Sequence, residues 1–361
     1  ADLTRVHAAF PQKRFVQRAC SGLDELELLD RGRHIAKVLA DCLPSDYPEA
    51  VGVLVRSLGP EHATDELIGV GMAPFFYLPH TLYVAERGLE HFDLSMDAQY
   101  ELTKRFSAEA SIRPYIARDP ERTLAVLRGW TKDRSAHVRR LVSEGTRLRL
   151  PWAGRVAWLD AHPERVLELL ELLKDDPSTL VRRSVANNLN DLGKTHPRLL
   201  YRTCAAWLRG ASPERRALVE HALRSAVKRG EAEALRLLGY GGKAAVGVEK
   251  VRFDPPRVAI GGRVVMTFAL RSRSRQPQEV LVDVAVHFVK ARGHAAPKVF
   301  KVGRLTLAPR AAVPLKATFS LAVHTTRVPR PGVHAVDVIV NGQSRRAGSF
   351  VVTAARPRRA R

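Results

Sequence analysis

The sequence is poor in cysteine and contains no long apolar run. Its three cysteines, Cys20, Cys42 and Cys204, are too few and too scattered for a disulfide framework or a zinc site. No apolar run approaches the roughly 20 residues that a membrane-spanning helix needs. The first ten residues lack the charged-then-apolar order of a secretory signal. From these absences we expect a cytoplasmic protein that neither spans a membrane nor relies on disulfides.

Acidic residues are also scarce relative to basic ones. The 361 residues include 59 Lys and Arg but only 37 Asp and Glu, a formal net charge of +22. The surplus is concentrated near the end, because residues 243–355 hold 19 basic and 5 acidic residues and residues 356–361 add four arginines. The first 242 residues are nearly balanced. This distribution predicts a polyanionic partner, either nucleic acid or an anionic membrane surface.

The hydrophobic period changes once along the chain. From about residue 24 to residue 240, apolar residues recur every three or four positions, as in segment 166–173, which indicates amphipathic helices. After Gly241-Gly242 the period falls to two, as in segments 264–270 and 282–288. About seven such runs in roughly 110 residues favour an immunoglobulin-like sandwich, without a core disulfide. We therefore predict a helical domain over 1–242, a sandwich over 243–355 and a basic tail over 356–361.

The helical part contains an internal repeat of 43 residues. Asp119-Pro120-Glu121-Arg122 is echoed by His162-Pro163-Glu164-Arg165, and Val138-Arg139-Arg140 by Val181-Arg182-Arg183. A third, degenerate copy begins at His196-Pro197. Helical pairs that repeat every 40–47 residues or so are typical of HEAT or armadillo solenoids, whose stacked units form a concave surface. The predicted fold class is an α-solenoid of HEAT-like repeats followed by an all-β immunoglobulin-like sandwich.

The doubled arginines of the repeat have two interpretations. If they line the concave surface together, their guanidinium groups form a ladder suited to phosphates. Alternatively, they are solvated or pair with the aspartates of the repeat and serve the fold. The residues concerned are Arg139, Arg140, Arg182 and Arg183.

Two helices of the repeat are predicted to end in a carboxylate. Helices over 138–144 and 180–191 place Glu144 and Asp191 close to Gly145 and Gly193, which we expect as left-handed residues just past the helix ends. The helix macrodipole disfavours negative charge there, and breaking a local rule twice at equivalent places is typical of a functional site. Because packed helices lie about 8–10 Å apart, we expect both acids to face one cleft.

Two further segments complete the candidate site. Glu109 is predicted to lie in a preceding helix, between small residues that let another group approach closely. The segment after Glu144 offers Arg147 and Arg149 and ends in Trp152, held by the preceding proline. We expect no other aromatic cluster near this site. The structural alternative is that Trp152 fills a gap between repeats and that the acids pair with repeat arginines.

These motifs resemble those of the AlkC branch of the AlkC/AlkD superfamily, which are HEAT-like-repeat alkylpurine DNA glycosylases. The matching segments are 107–114, 138–152 and 182–191, and some members of the branch carry a C-terminal immunoglobulin-like domain. The resemblance implies release of 3-methyladenine and 3-methylcytosine from double-stranded DNA, in base excision repair. It also implies that Glu109, Glu144 and Asp191 are the catalytic carboxylates and that Trp152 lines the lesion cleft.

The residue types suit that chemistry. A base alkylated at a ring nitrogen is already cationic and leaves with little acid help. What remains is to stabilise an oxocarbenium-like sugar and to place a water, as carboxylates do in glycoside hydrolysis. The predicted lesion- and DNA-binding residues are Trp152, Arg139, Arg140, Arg147, Arg149, Arg182 and Arg183.

The partner predictions follow from the same observations. Thirteen histidines are spread without ligand spacing, so we predict no metal and no cofactor. We expect a monomer without an obligatory protein partner, associated with the nucleoid in a bacterial-type cytoplasm. One alternative is a non-enzymatic HEAT scaffold that binds nucleic acid or protein through its groove. Another is a lesion-binding paralogue that has lost activity.

Overall fold

The computed structural model describes residues 2–65, 71–289, 295–324 and 328–354, and the side chains of residues 295 and 296 are outside that description. The predicted basic tail, 356–361, also lies outside the described residues. The chain divides into two compact units, Ala1–Ala222 and Leu223–Arg361. In the described part of the chain, no helix is long and apolar enough to cross a membrane.

The described residues up to about 240 are helical, as the period of three and four predicts. Short 3-10 turns span Leu23–Glu25 and Ala73–Tyr77. The α-helices are α1 (Asp2–Val6), α2 (Gln12–Cys20), α3 (Leu28–Ala40), α4 (Tyr47–Arg56), α5 (Leu78–Arg87), α6 (Phe92–Thr103), α7 (Arg113–Arg118), α8 (Pro120–Trp130), α9 (Ala136–Gly145), α10 (Ala157–Ala161), α11 (Pro163–Leu173), α12 (Thr179–Leu192), α13 (Pro197–Leu208), α14 (Pro213–Lys228) and α15 (Ala232–Leu237).

Three helix pairs follow the internal repeat. They are α8 with α9, α11 with α12, and α13 with α14, and the first helix of each pair begins at a proline. Proline suits this position because the first N–H of a helix has no partner within the helix. Helices α9 and α12 begin 43 residues apart in the chain, but α9 has 10 residues and α12 has 14. Helix α12 is therefore one turn longer than its counterpart.

An aspartate organises the turn inside each of the first two pairs. Asp133 and Asp176 each accept a hydrogen bond from the backbone N–H two residues later, at 2.7 and 2.9 Å. Arg139 donates to both carboxylate oxygens of Asp176, at 2.6 and 2.9 Å. Arg182 donates to the backbone carbonyl of Asp176 at 2.5 Å. The first arginine of each doublet, Arg139 or Arg182, thus binds an aspartate of the repeat and serves the fold. This agrees with the second interpretation of the doubled arginines.

The second unit contains a sandwich of two sheets. One has the strand order β1-β3-β6 and the other β2-β8-β7-β4-β5, and all neighbouring strands are antiparallel except β2 and β8. Segments 264–270 and 282–288 lie in β3 and β4 and supply alternate buried residues to one shared core, as predicted. The strands are β1 (Val246–Asp254), β2 (Arg257–Ala259), β3 (Arg263–Ser272), β4 (Gln278–Val289), β5 (Ala295–Leu307), β6 (Ala312–Ser320), β7 (Gly332–Val340) and β8 (Gln343–Thr353).

The sequence does not specifically predict β1 and β2. In β1 the register shifts between Glu249 and Arg252, and Lys250 has a φ of 55°. This irregularity moves the inward side chains from even-numbered to odd-numbered positions, so the period of two is broken. Strand β2 has three residues and is too short to show a period.

The compact units do not divide at the change of period. Leu235 of α15 and Tyr240 pack against Leu281 of β4, on the face opposite the one that carries Val280 and Val282 into the core. Helix α15 therefore belongs to the compact unit that contains the strands, whereas the predicted limit at residue 242 marks where the backbone becomes extended.

His80, in the first turn of α5, is a buried histidine whose burial lowers its pKa to about 4. In the unfolded chain the pKa returns to about 6.5, so the unfolded chain binds the proton first. The buried, neutral His80 therefore makes its full contribution to the free energy of unfolding above pH 6.5. As the pH falls towards 4, that free energy falls by up to about 3 kcal/mol. We expect the melting-temperature difference between wild type and His80→Gln to shrink between about pH 7 and pH 4.5. A difference that stays constant over that range would contradict this role of His80.

Candidate functional site

The C-terminal ends of α9 and α12 place the two predicted acids together. Helix α9 packs against α12, and Glu144 and Asp191 lie in their last turns. Both side chains are buried, since the residues are 4% and 2% exposed. A carboxylate in this position faces both desolvation and the negative end of the helix macrodipole. Cationic partners must therefore offset these costs.

Arg147 joins Glu144 to Asp191. Its Nη1 donates to Oε2 of Glu144 at 2.9 Å, and its Nε and Nη2 lie 2.8 and 2.7 Å from Oδ2 of Asp191. Lys194 donates to the other oxygen of Asp191 at 2.7 Å. Burial alone would lower the pKa of Arg147, but the two carboxylates outweigh it and raise that pKa. Arg147 thus remains charged and fixes the separation of the two acids.

Glu109 is connected to the same cluster through Arg140. Nη2 of Arg140 lies 3.0 Å from Oε2 of Glu109 and 3.7 Å from Oε1 of Glu144. Ser107 also donates its hydroxyl to Oε2 of Glu109, at 2.9 Å. Among the described residues, neither Oε1 of Glu109 nor Oε1 of Glu144 accepts a hydrogen bond. The structure therefore brings the three predicted carboxylates into one chain of alternating charges, with two acceptor oxygens to spare.

Glu109 does not lie in a helix, contrary to the sequence prediction. It is in the turn that connects α6 to α7. The turn is held by hydrogen bonds from the Ser111 hydroxyl to Gln99 Oε1, at 3.1 Å, and from the Ala108 backbone N–H to Thr103, at 3.3 Å. The small residues around Glu109 thus serve a tight turn rather than a helix face.

The two glycines at the helix ends also differ from their prediction. Gly145 is the last residue of α9, and Gly193 has a φ of −64°, so neither adopts the left-handed conformation. A Cβ on Gly145 would lie 2.6 Å from Ile112 Cγ2, and one on Gly193 would lie 2.3 Å from Leu200 Cδ2. A larger residue at either position would have to displace a neighbouring side chain, so close packing rather than backbone conformation favours glycine there.

Arg113 closes the C-terminal end of α9. Its guanidinium donates to the backbone carbonyls of Gly145 and Arg147, both at 2.9 Å, and twice to that of Gly154, at 3.1 and 2.9 Å. Burial lowers its pKa to about 10, which leaves it charged at neutral pH. Asn188 donates to the backbone carbonyl of Ser143 at 2.8 Å. Arg113 thereby fixes the loop that carries Arg147 and Trp152, a role that the sequence analysis missed.

Trp152 is exposed and conformationally strained. Its φ is 62°, a region that bulky residues rarely adopt, and 71% of its surface is exposed. The structural alternative, that Trp152 fills a gap between repeats, is therefore wrong. Strain of this kind costs about 1–3 kcal/mol and is concentrated at functional sites.

An aromatic cluster lies beside Trp152, although the sequence predicts none. The Phe75 ring is 6.5 Å from the Trp152 ring and 5.3 Å from the Phe106 ring, in edge-to-face arrangements. The three rings line a cleft of about 240 Å³, together with Glu109 and Arg140. Phe75 belongs to a 3-10 turn and Phe106 to a connecting segment, so no helical period marks either residue.

The predicted DNA-binding arginines fall into three groups. Arg139 and Arg182 are bound within the repeat, and Arg140 and Arg147 are bound to the acids. Arg149 and Arg183 are exposed and have no ion pair among the described residues. Arg183 also lines a groove of about 540 Å³ that runs past Arg140 and Glu144. In the described part of the chain, no three His, Cys, Asp or Glu side chains are placed to hold a metal ion.

Two family models match the chain. The model described as DNA alkylation repair enzyme matches residues 106–230, which include all three clustered acids and Trp152. The model described as the C-terminal Ig-like domain of the uncharacterised protein YhaZ matches residues 247–354. The first match covers the helical site and the second covers the sandwich.

Two individual proteins resemble nearly the whole chain. The uncharacterized protein YhaZ of Bacillus subtilis (strain 168) is 34% identical over 328 residues, which are 91% of this chain and 88% of that protein. The solved structure of the Pseudomonas fluorescens alkylpurine DNA glycosylase AlkC, bound to DNA containing an abasic site analog, is 36% identical with a TM-score of 0.90. That similarity covers 98% of this chain and 95% of the other.

The role of Arg113 can be tested with Arg113→Lys, which keeps the charge but loses the planar fork that reaches several carbonyls. We expect faster hydrogen exchange of the amides in residues 145–154 and a lower melting temperature. The free energy of unfolding should fall by about 1–3 kcal/mol, the size expected for the loss of hydrogen bonds from a charged donor. Arg118→Lys, on the same helix but exposed, is the matched control and should leave the loop unchanged. Equal protection of the loop in both variants would show that Arg113 does not hold it.

Proposed function

We propose that this chain, a member of the AlkC branch of the AlkC/AlkD superfamily of HEAT-like-repeat alkylpurine DNA glycosylases, releases N3-alkylated bases from double-stranded DNA. The expected substrates are 3-methyladenine and 3-methylcytosine. The observation that carries the proposal is the convergence of Glu109, Glu144 and Asp191 on two arginines beside the Trp152 cleft. We further propose that the repeats form a solenoid and that the enzyme acts as a monomer at the bacterial nucleoid.

The reaction needs little acid catalysis. In an N3-alkylated nucleotide the base already carries a positive charge, so the electron pair of the N-glycosidic bond can leave with the base. The sugar then becomes oxocarbenium-like, and a water adds its oxygen to C1′ and gives up a proton. We assign the water to Glu144, because its Oε1 accepts no hydrogen bond from the described residues and the residue lines the groove. The products are a free base and an abasic site.

Asp191 acts as a fixed negative charge in this proposal. Both of its oxygens already accept hydrogen bonds, from Arg147 and Lys194, so it is less suited to holding a water. A carboxylate that cannot reorient stabilises developing positive charge without reorganisation at the moment of reaction. Arg147 contributes by holding Asp191 and Glu144 at a set separation.

Trp152 contacts the lesion side of the site. Its exposed indole offers a face to a cationic base or sugar, a cation–π interaction of roughly 0.5–2 kcal/mol. Its strained backbone is tolerated at a position where no packing requires a tryptophan, which favours a binding role over a structural one. Arg149 and Arg183 are the arginines that we assign to DNA phosphates, because both are exposed.

A non-enzymatic scaffold remains the alternative function. It would use the basic surface for nucleic acid without needing buried acids within that surface. Base release distinguishes the two. We expect free 3-methyladenine and 3-methylcytosine from alkylated duplex DNA, equally with and without a chelator, because we propose a metal-independent reaction. Activity that a chelator abolishes and zinc restores would contradict metal independence, and binding without release would favour the scaffold.

The catalytic assignment predicts that Glu144→Gln and Asp191→Asn reduce single-turnover base release far more than DNA affinity. Each substitution removes a charge that faces the cationic transition state and nearly preserves shape. We expect losses of about 100-fold or more, the size seen when one preorganised electrostatic group is removed. Single-turnover rates at saturating enzyme and separate binding isotherms measure the two effects.

The control for these variants is Asp176→Asn. It also breaks a buried arginine–aspartate pair, with Arg139, between the two repeats that carry the acids but outside the acid cluster. Loss of a buried pair alone can cost about 3–5 kcal/mol of stability, so all three variants should melt earlier. Base release should fall sharply in Glu144→Gln and Asp191→Asn but not in Asp176→Asn below its melting temperature. A near-native rate in either site variant would remove that residue from the mechanism.

The basic sandwich is predicted to contact DNA through one of its sheets. We would replace three exposed cations with glutamine in each of two matched variants. One carries changes at Arg252, Arg263 and Lys316 in the three-stranded sheet, and the other at Lys298, Lys301 and Arg346 in the five-stranded sheet. The slope of log K against log salt changes by about 0.9 for each lost phosphate contact. We expect the slope to flatten in one variant, and unchanged slopes in both would mean that neither charge set contacts DNA.

A further inference from the structure

The proposed bond-breaking step does not account for the aromatic cleft beside Glu109. Phe75 and Phe106 carry no group that could take part in breaking the bond, yet together with Trp152 they form one wall of the cleft. The cleft lies entirely within the helical unit. Its position next to Glu109 and Arg140 places it directly beside the proposed reaction.

The size of the cleft restricts its ligand. Its volume of about 240 Å³ is below the roughly 300–1,000 Å³ of pockets that hold drug-sized molecules. A single flat ring system fits such a space, whereas a whole nucleotide with its sugar and phosphate is larger. Aromatic walls favour a flat, π-rich ligand, because every base has a face that can stack on them.

The polar edge of the cleft indicates which ring system would bind. Oε1 of Glu109 is an acceptor without a donor among the described residues, and the Arg140 guanidinium beside it is a donor. Nucleobases present a hydrogen-bond donor next to an acceptor along one edge, as the exocyclic amine and ring nitrogen of adenine do. An acceptor and a donor side by side on the protein complement such an edge.

We propose that the cleft lined by Phe75, Phe106 and Trp152 is a binding site for a single nucleobase, and that it holds the excised base after the bond to the sugar has broken. The inference rests on the proposed function for the source of its ligand. The base stacks on the aromatic wall and presents an amine edge to Glu109 and Arg140. Free product then competes with the next reaction, so the enzyme shows inhibition by the base that it releases.

The test measures binding of free base to the full chain without DNA. Ligand-observed NMR titrations with 3-methyladenine, whose amine stands beside an unmethylated ring nitrogen, should show saturable binding. Trp152→Ala and Phe106→Leu should each weaken it by roughly fivefold or more, which is the low end of the loss expected when one aromatic stacking partner is removed. Trp152 is exposed, so its replacement leaves the fold intact even if Phe106→Leu is unstable. Phe76→Leu is the matched control, because Phe76 is exposed and is not part of the cleft lining.

The outcomes separate this proposal from the proposed function. Absence of saturable binding, or binding that Trp152→Ala and Phe106→Leu leave unchanged, overturns the nucleobase site. Base release from alkylated duplex DNA, measured on the same preparations, reports on the glycosylase function independently. Release without free-base binding therefore refutes the cleft proposal alone, and free-base binding without release refutes the function alone.

Discussion

The site depends on one partly buried cation, Arg147, held between two carboxylates. Without it, Glu144 and Asp191 would be two like charges, nearly inaccessible to water, at the negative ends of two helices. Arg147 is placed by its own backbone, since its carbonyl accepts a hydrogen bond from Arg113. The arrangement therefore forms a dependent series in which Arg113 holds the loop, the loop holds Arg147, and Arg147 holds the acids.

The repeat shows how one sequence pattern takes on two uses. The first arginine of each doublet, Arg139 or Arg182, binds the aspartate turns of the first two helix pairs. The second arginine of each doublet does not bind this turn. Arg140 contacts the acids instead, and Arg183 lines the groove. The extra turn of α12 carries Asp191 far enough along the helix to meet Arg147 from the neighbouring unit. The site therefore depends on a length difference of one helical turn between the two repeats, whereas the repeated pattern itself supplies the supporting helices.

The sequence predicts those parts of the molecule that periodicity or local rules govern. The helix pairs, the alternation in β3 and β4, and the acids at two helix ends all leave a regular signal. The turn around Glu109 and the cleft residues Phe75 and Phe106 leave none, because they are set by contacts between segments distant in the chain. Arg113 was missed for another reason. A charged side chain is expected at the surface, and only the carbonyls of Gly145, Arg147 and Gly154, which lie far from it in the sequence, explain its burial.

The charged and aromatic parts of the site differ in rigidity. Glu144 and Asp191 are buried, hydrogen-bonded and tied to two helices, so their positions are fixed before substrate arrives. Trp152 is exposed and strained, on a loop fixed at both ends by Arg113. A fixed charge suits a transition state whose location relative to the sugar is constant. An exposed indole suits a surface that must first meet DNA, and contact with a base face can offset the strain that its backbone carries. In the proposed reaction, binding of a base would therefore stabilise the strained residue, whereas the acids would need no rearrangement.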